Sequence, residues 1–228
     1  MIEIKHLSKK FNSLVVLDNV SFQVDDAKLV VVLGPSGTGK SVLLKVMLGL
    51  VPVDSGEVLF DGKSIQNATE SEIYDIRKQV GFVFQGTALF DSMNVADNIA
   101  LPLTEHTTMS FGAIKERVCS LLEIVGMAGK ANLYPQSLSG GMKRLVAIAR
   151  ALALNPKYLF YDEPTTGLDP IMTDKVVALI NNLKKSHISN GIAVTHDLDI
   201  AKALGDEIFM LKRGRMSKPA RIEKELYD

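Results

Sequence analysis

The chain has 228 residues, 46% of them hydrophobic, which is enough apolar material for a full core, and its 26 Lys+Arg balance 26 Asp+Glu. That balance leaves no basic field of the kind that drives sequence-independent nucleic-acid binding, so nucleic acid is not an expected partner. A lone cysteine, Cys119 in Val118-Cys119-Ser120-Leu121-Leu122, excludes an internal disulfide framework and reads as a core residue in a reducing compartment.

In chain order, Met1-Ile2-Glu3-Ile4-Lys5 alternates apolar and charged residues and lacks the layout of a signal peptide. The same alternation recurs at Val20, Phe22 and Val24, and at Val58 and Phe60 after the turn Asp54-Ser55-Gly56. Period two with one polar face predicts half-buried strands in an antiparallel sheet. Leu29-Val30-Val31-Val32-Leu33 is apolar throughout, as expected for a strand covered on both faces of a central parallel sheet. Directly after it come Gly34, Pro35, Ser36, Gly37, Thr38, Gly39, Lys40 and Ser41, and then a helix-like stretch from Val42 that is apolar nearly all round. Glycines let the backbone turn several N–H groups toward one anion, and the following helix adds its positive end. Lys40 is placed to reach β- and γ-phosphates, and the Ser41 hydroxyl to take one position on Mg²⁺. The octapeptide therefore predicts a nucleotide phosphate cradle, and it occurs once.

From about Asp91 to Pro156 the pattern turns helical, with Ile114, Val118, Leu121, Leu122 and Val125 on one face before Gly126. Within this stretch Leu138-Ser139-Gly140-Gly141-Met142 precedes a helix expected from Lys143 to Leu154; a serine and two glycines at a helix start make a second anion site. Tyr158-Leu159-Phe160-Tyr161 is an apolar strand ending in Asp162 and Glu163. In a parallel sheet such a strand end lies on the ligand side, so Asp162 can hold Mg²⁺ through water. Adjacent strand residues face opposite ways, which leaves Glu163 to orient and deprotonate an attacking water. An amphipathic helix carrying Met172, Val176, Leu179, Ile180 and Leu183, opened by Asp169-Pro170 and ended near Ser189-Asn190-Gly191, is followed by the strand Ile192-Ala193-Val194. Helix alternating with buried strand indicates a doubly wound α/β fold. No apolar run approaches the roughly 20 residues of a membrane span. The chain is thus expected to be cytoplasmic by itself, with any membrane role reached through a partner.

The cradle, the Leu-Ser-Gly-Gly run, the apolar-Asp-Glu strand, Gly167-Leu168-Asp169, Gln85 and Val194-Thr195-His196 come in the order found in ATP-binding-cassette (ABC) ATPases, and the resemblance covers essentially the whole chain. It implies a P-loop NTPase core with a mainly parallel sheet, an N-terminal antiparallel β subdomain and an inserted helical subdomain. The expected organisation is one domain over residues 1–228, with a core of approximately 1–90 and 157–228 and a helical subdomain of approximately 91–156. The resemblance places Phe11 where most members stack a Tyr on adenine, and a Phe keeps the π-face. It makes Gln85 the contact to Mg²⁺ and the attacking water, His196 the switch that hydrogen-bonds the γ-phosphate, and Asp169 the coupler of two composite sites. Ser139, Gly140 and Gly141 would meet the γ-phosphate bound by an opposite protomer. The implied cofactors are ATP and Mg²⁺, and the implied partners a second ATPase copy and integral membrane permease subunits, which would hold the chain on the inner face of the cell membrane.

One departure narrows the resemblance. Where the family usually has Gln after Leu-Ser-Gly-Gly, this chain has Met142, so an amide is replaced by a thioether. Together with residues 85–95 and 98–103 this is similar to the ATPases of MCE-associated phospholipid transporters of the Mla type, and adds an MCE-type lipid-binding protein to the implied partners. Ala88, Leu89, Phe90, Met93 and Val95 would then help form the groove that receives a coupling helix from the permease. The alternatives at this point are an ABC importer or exporter of the amino-acid or lipoprotein class, or a non-transport regulatory ATPase.

Overall fold

A computed structural model describes residues 1–185 and 190–218. In chain order these form β1 (Ile2–Phe11), β2 (Leu14–Val24), β3 (Leu29–Leu33), α1 (Lys40–Met47), β4 (Ser55–Phe60), β5 (Lys63–Ser64), α2 (Glu70–Lys78) and β6 (Val80–Val83). There follow α3 (Val95–His106), α4 (Phe111–Ile124), a 3-10 turn (Pro135–Ser137), α5 (Gly140–Ala151), β7 (Tyr158–Asp162) and α6 (Pro170–Lys185). The last elements are β8 (Asn190–Thr195), α7 (Leu198–Leu204), β9 (Glu207–Lys212) and β10 (Arg215–Ser217). Two compact units emerge, one made of Met1–Arg77 with Ser189–Asp228 and the other of Lys78–Ile188. Among the described residues no helix is long and apolar enough to cross a membrane.

In the first unit the alternating segments pair as expected, antiparallel, in the order β2-β1-β4-β5. Ile2 and Ile4 face Val24 and Phe22 on one side and Phe60 and Val58 on the other, so the pleat gathers one apolar row into the core. The continuous apolar run behaves differently: all five residues of β3 are buried, because β3 lies between two parallel neighbours, β8 and β9. The antiparallel β10 closes the edge beyond β9. Helix α1 starts at Lys40, two residues before the expected Val42, and buries Leu43, Leu44, Val46 and Met47.

In the second unit β6 and β7 run parallel, with Val80 opposite Tyr158 and Val83 opposite Tyr161. Gly81 permits this layer to close, since a Cβ there would collide with the Ala151 carbonyl oxygen at the end of α5. Helix α5 begins at Gly140 rather than Lys143, because Ser139 acts as its N-cap, and ends at Ala151 rather than Leu154. Helix α6 buries Val176, Ile180 and Leu183 and ends at Lys185; Ser189, in the stretch expected to end it, lies outside the described residues. Cys119 is a correction: it is exposed. Helix α4 turns Val118, Leu121 and Leu122 inward, and the residue after Val118 is rotated about 100° off that face. Of the charged C-terminal segment, Arg215–Ser217 form β10 while residues 219–228 lie outside the described part.

Candidate functional site

The phosphate loop leaves the carboxyl end of β3, and several features of the first unit shape it. Gly34 lies so close to the Leu211 carbonyl oxygen of β9 that any Cβ would collide with it. Gly37 and Gly39 have φ of 80° and 99°, the left-handed region that glycine enters without strain. Gly39 is also the N-cap of α1 and, having no side chain, makes no side-chain cap bond to that helix. Lys40 is buried, and its Nζ donates to the carbonyl oxygens of Gly34 at 2.7 Å and Pro35 at 3.0 Å, wrapping the ammonium over the loop. Thr38 Oγ1 braces the same turn by donating to Pro35 O at 2.9 Å. A loop of backbone donors with one buried cation fits a polyphosphate chain. Pro35, Ser36 and Gly37 are exposed, and Ser41 is half-buried.

His196 is exposed and directly follows Thr195, whose carbonyl accepts from Gly34 N at 3.2 Å. The parallel register of β3 and β8, with Leu33 opposite Thr195, therefore brings His196 to the rim of the loop of residues 34–41. Phe11 is 44% exposed, so it is no core aromatic. It pairs with Leu14 across the hairpin, and the Cγ1 of Val16 on β2 lies where a Cβ of Gly39 would fall, so the β1–β2 hairpin borders the loop. A pocket of about 960 Å³ in this unit, with Lys10, Arg213 and Arg215 set against Asp18 and Asp54, contains none of the loop residues.

The second unit holds the remaining residues. Asp162 and Glu163 are both buried, at 5% and 6% exposure. Glu163 departs from the expected strand geometry: β7 ends at Asp162, and Glu163 takes φ 50°. Its direction is set by that left-handed turn and not by pleat alternation, and Thr166 Oγ1 donates to its Oε2 at 3.0 Å. Asp169 is exposed and caps α6, its Oδ1 accepting from Met172 N at 2.9 Å. Ser139 is exposed at the start of α5 and accepts from Met142 N at 3.3 Å. Gly140 has open space where a Cβ would be, while Gly141 is buried against Met172.

Gln85 is exposed on a loop whose backbone is fixed from α5. Arg144 donates to Phe84 O at 2.6 Å and Gln85 O at 2.8 Å, and Arg150 to Ala88 O at 2.7 Å and Thr87 O at 2.9 Å. Asn98, fully buried on α3, fastens the next turn: it accepts from Phe90 N and donates to the carbonyls of Phe90, Met93 and Asn94. Sequence reasoning passed over all three residues, because an Arg or Asn inside a helix usually reaches solvent. Of the expected groove residues, Phe90 is 49% exposed, but Val95 is fully buried at the start of α3, where its N–H donates to Leu133 O.

Residues 17–166 match the pattern of the ABC transporter family. The chain belongs to the ABC transporter family. It is an ATPase of that class, and nucleotide binding and hydrolysis come with membership. A relative from Haemophilus influenzae, the intermembrane phospholipid transport system ATP-binding protein MlaF, is 40% identical over 211 residues, 92% of this chain and 80% of that protein. MlaF of Escherichia coli K12 is 38% identical over 211 residues, covering 92% and 78%. A Mycobacterium leprae protein named for ribonucleotide transport, mkl, is 40% identical over 93% of this chain and 61% of its own length. Among solved structures, a dimeric ATP-binding cassette in a post-hydrolysis state with ADP and Pi superposes with a TM-score of 0.86 at 32% identity, covering 96% of this chain and 98% of that one.

Proposed function

We propose that this ABC ATPase powers a phospholipid transport system of the Mla type. The observation that carries the reading is 40% identity over 92% of the chain to a phospholipid-transport ATP-binding protein. Phe11 stacks on the base, residues 34–41 cradle the phosphates, and His196 donates to the terminal phosphate. Ser41, Gln85 and Asp162 would hold Mg²⁺, which would supply charge neutralisation to the phosphates. The donor set fits that ion: a hydroxyl, an amide and a buried carboxylate, all oxygen ligands suited to a hard cation. Glu163, fixed by Thr166, takes the proton from the attacking water, and Gln85 helps to orient that water.

Two copies would close around two nucleotides. Ser139, Gly140 and Gly141 of one copy meet the phosphates held by the other, with Asp169 linking the two sites; the dimeric cassette among the structural relatives supports this arrangement. The domain organisation fits a single ABC cassette, a core of approximately 1–90 and 157–228 carrying a helical subdomain of approximately 91–156. Permease subunits would hold the dimer at the inner face of the cell membrane, with Phe90 and its neighbours receiving them and an MCE-type protein handling lipid. Co-purification with integral membrane permease subunits, and hydrolysis measured in phospholipid vesicles, tests this. Stimulation by the permease in phospholipid is expected, and failure to associate with any membrane subunit contradicts the reading. A second reading, ribonucleotide transport, rests on the equal identity to mkl; stimulation of the reconstituted complex by ribonucleotides instead of phospholipid would favour it.

A further inference from the structure

Two cations of α5 are used in an unusual way. Arg144 is buried at 3% exposure and Arg150 is half-buried, yet neither forms an ion pair among the described residues. Each turns its outer nitrogens onto two backbone carbonyls of one loop, Phe84 and Gln85 for Arg144, Thr87 and Ala88 for Arg150. Arg144 Nε is left buried without a hydrogen-bond partner. Burial lowers the pKa of both guanidiniums, with the charge of Asp162 opposing the shift at Arg144. Carrying two unpaired cations into a desolvated place costs stability, so bulk packing does not explain them. Geometry does. A guanidinium is a planar fork that spans two carbonyls at once, which an ammonium cannot do. Thr87 and Ala88 sit at φ 59° and 50°, a left-handed pair without glycine, and the Arg150 fork holds both of their carbonyls.

The helix that carries these forks is capped by Ser139. Arg150 lies six positions after Arg144 on the α-helix, a rise of about 9 Å, so the loop is fixed at two points along one rigid rod. We propose that Arg144 and Arg150 are positioning residues that fasten the Gln85 loop to the Ser139 helix. The segment meeting the attacking water and the segment meeting a second copy's nucleotide then move as one body. This rests on the roles given above to Gln85 and Ser139.

The test centres on Arg150, whose replacement disturbs the core less than that of Arg144, and uses the full chain. Arg150→Gln should lower kcat about 10- to 100-fold through misplacement of the loop, with KM within about threefold of the parent. Arg150→Lys keeps the charge but not the fork, so it should remain as impaired as Arg150→Gln; full rescue by Lys would overturn the proposal. Adding Arg150→Gln to Gln85→Ala should cost little beyond Gln85→Ala alone, whereas multiplied losses would show that Arg150 does not act through Gln85. Gln85→Ala with parental kcat would refute the reading of Gln85, independently of the clamp. In the unmodified chain, the amides of Thr87 and Ala88 should exchange with solvent in step with residues 144–150 of α5. Exchange orders of magnitude faster than that helix would overturn the clamp even if the variants failed to fold.

Discussion

A Cβ on Gly141 would overlap Met172 Cγ, which places the second glycine of the Leu-Ser-Gly-Gly run in direct contact with α6, the helix that Asp169 caps. The glycine is needed here for close approach, since its φ lies outside the left-handed region. Gly141→Ala should therefore force the Met172 side chain aside and destabilise the fold by about 1–3 kcal/mol. In a Met172→Ala background the same change should be nearly neutral. Thermal melts of the four proteins check this, and an equal cost in both backgrounds would contradict the contact.

Asn98 carries the loop after Gln85 on four hydrogen bonds from a fully buried amide. Asn98→Ala leaves those backbone groups without their partner, and a loss of about 2–4 kcal/mol in the denaturant midpoint analysis is expected. The loop should lose protection together with stability.

Lys40 tests the cradle separately. Its ammonium lies over Gly34 O and Pro35 O, and Lys40→Met keeps the stem while removing the charge. Nucleotide affinity, measured by titration, should fall by about tenfold or more. Undiminished affinity would contradict the phosphate role.

Glu207 couples β9 to pH. Lys218 and Lys28 each donate to one of its oxygens at 2.8 Å and hold the carboxyl below its ordinary value of 4.5. A depressed folded pKa means the stabilisation is fully present above 4.5 and is lost as pH falls through the lower folded value. Glu207→Gln should therefore cost under about 1 kcal/mol at neutral pH, and its stability curve should converge with that of the parent in acid. A constant gap at all pH values would contradict this.

Much of this was readable from residue order, for a physical reason. The loop glycines, Lys40 and Asp162 are set by short stretches in which local geometry and chemistry coincide, so strand, turn and helix follow from about a dozen neighbouring residues. What escaped depends on contacts remote in sequence. Nothing around Arg144 says that it bonds Phe84 and Gln85, some 60 residues earlier. Cys119 sits in an apolar run, and only the rotation of α4 turns it outward. Glu163 was expected to turn by strand alternation, but the strand stops one residue sooner and a left-handed turn directs it.

Glu163→Gln tests the central claim most directly, because it keeps the shape of the side chain and its contact with Thr166 while removing the base. ATP hydrolysis by the full chain should fall about 10²- to 10⁴-fold. Nucleotide affinity should be retained, and a dimer should accumulate when MgATP is added, read by sedimentation. Hydrolysis at the parental rate would contradict the role of Glu163 and with it the account of the site.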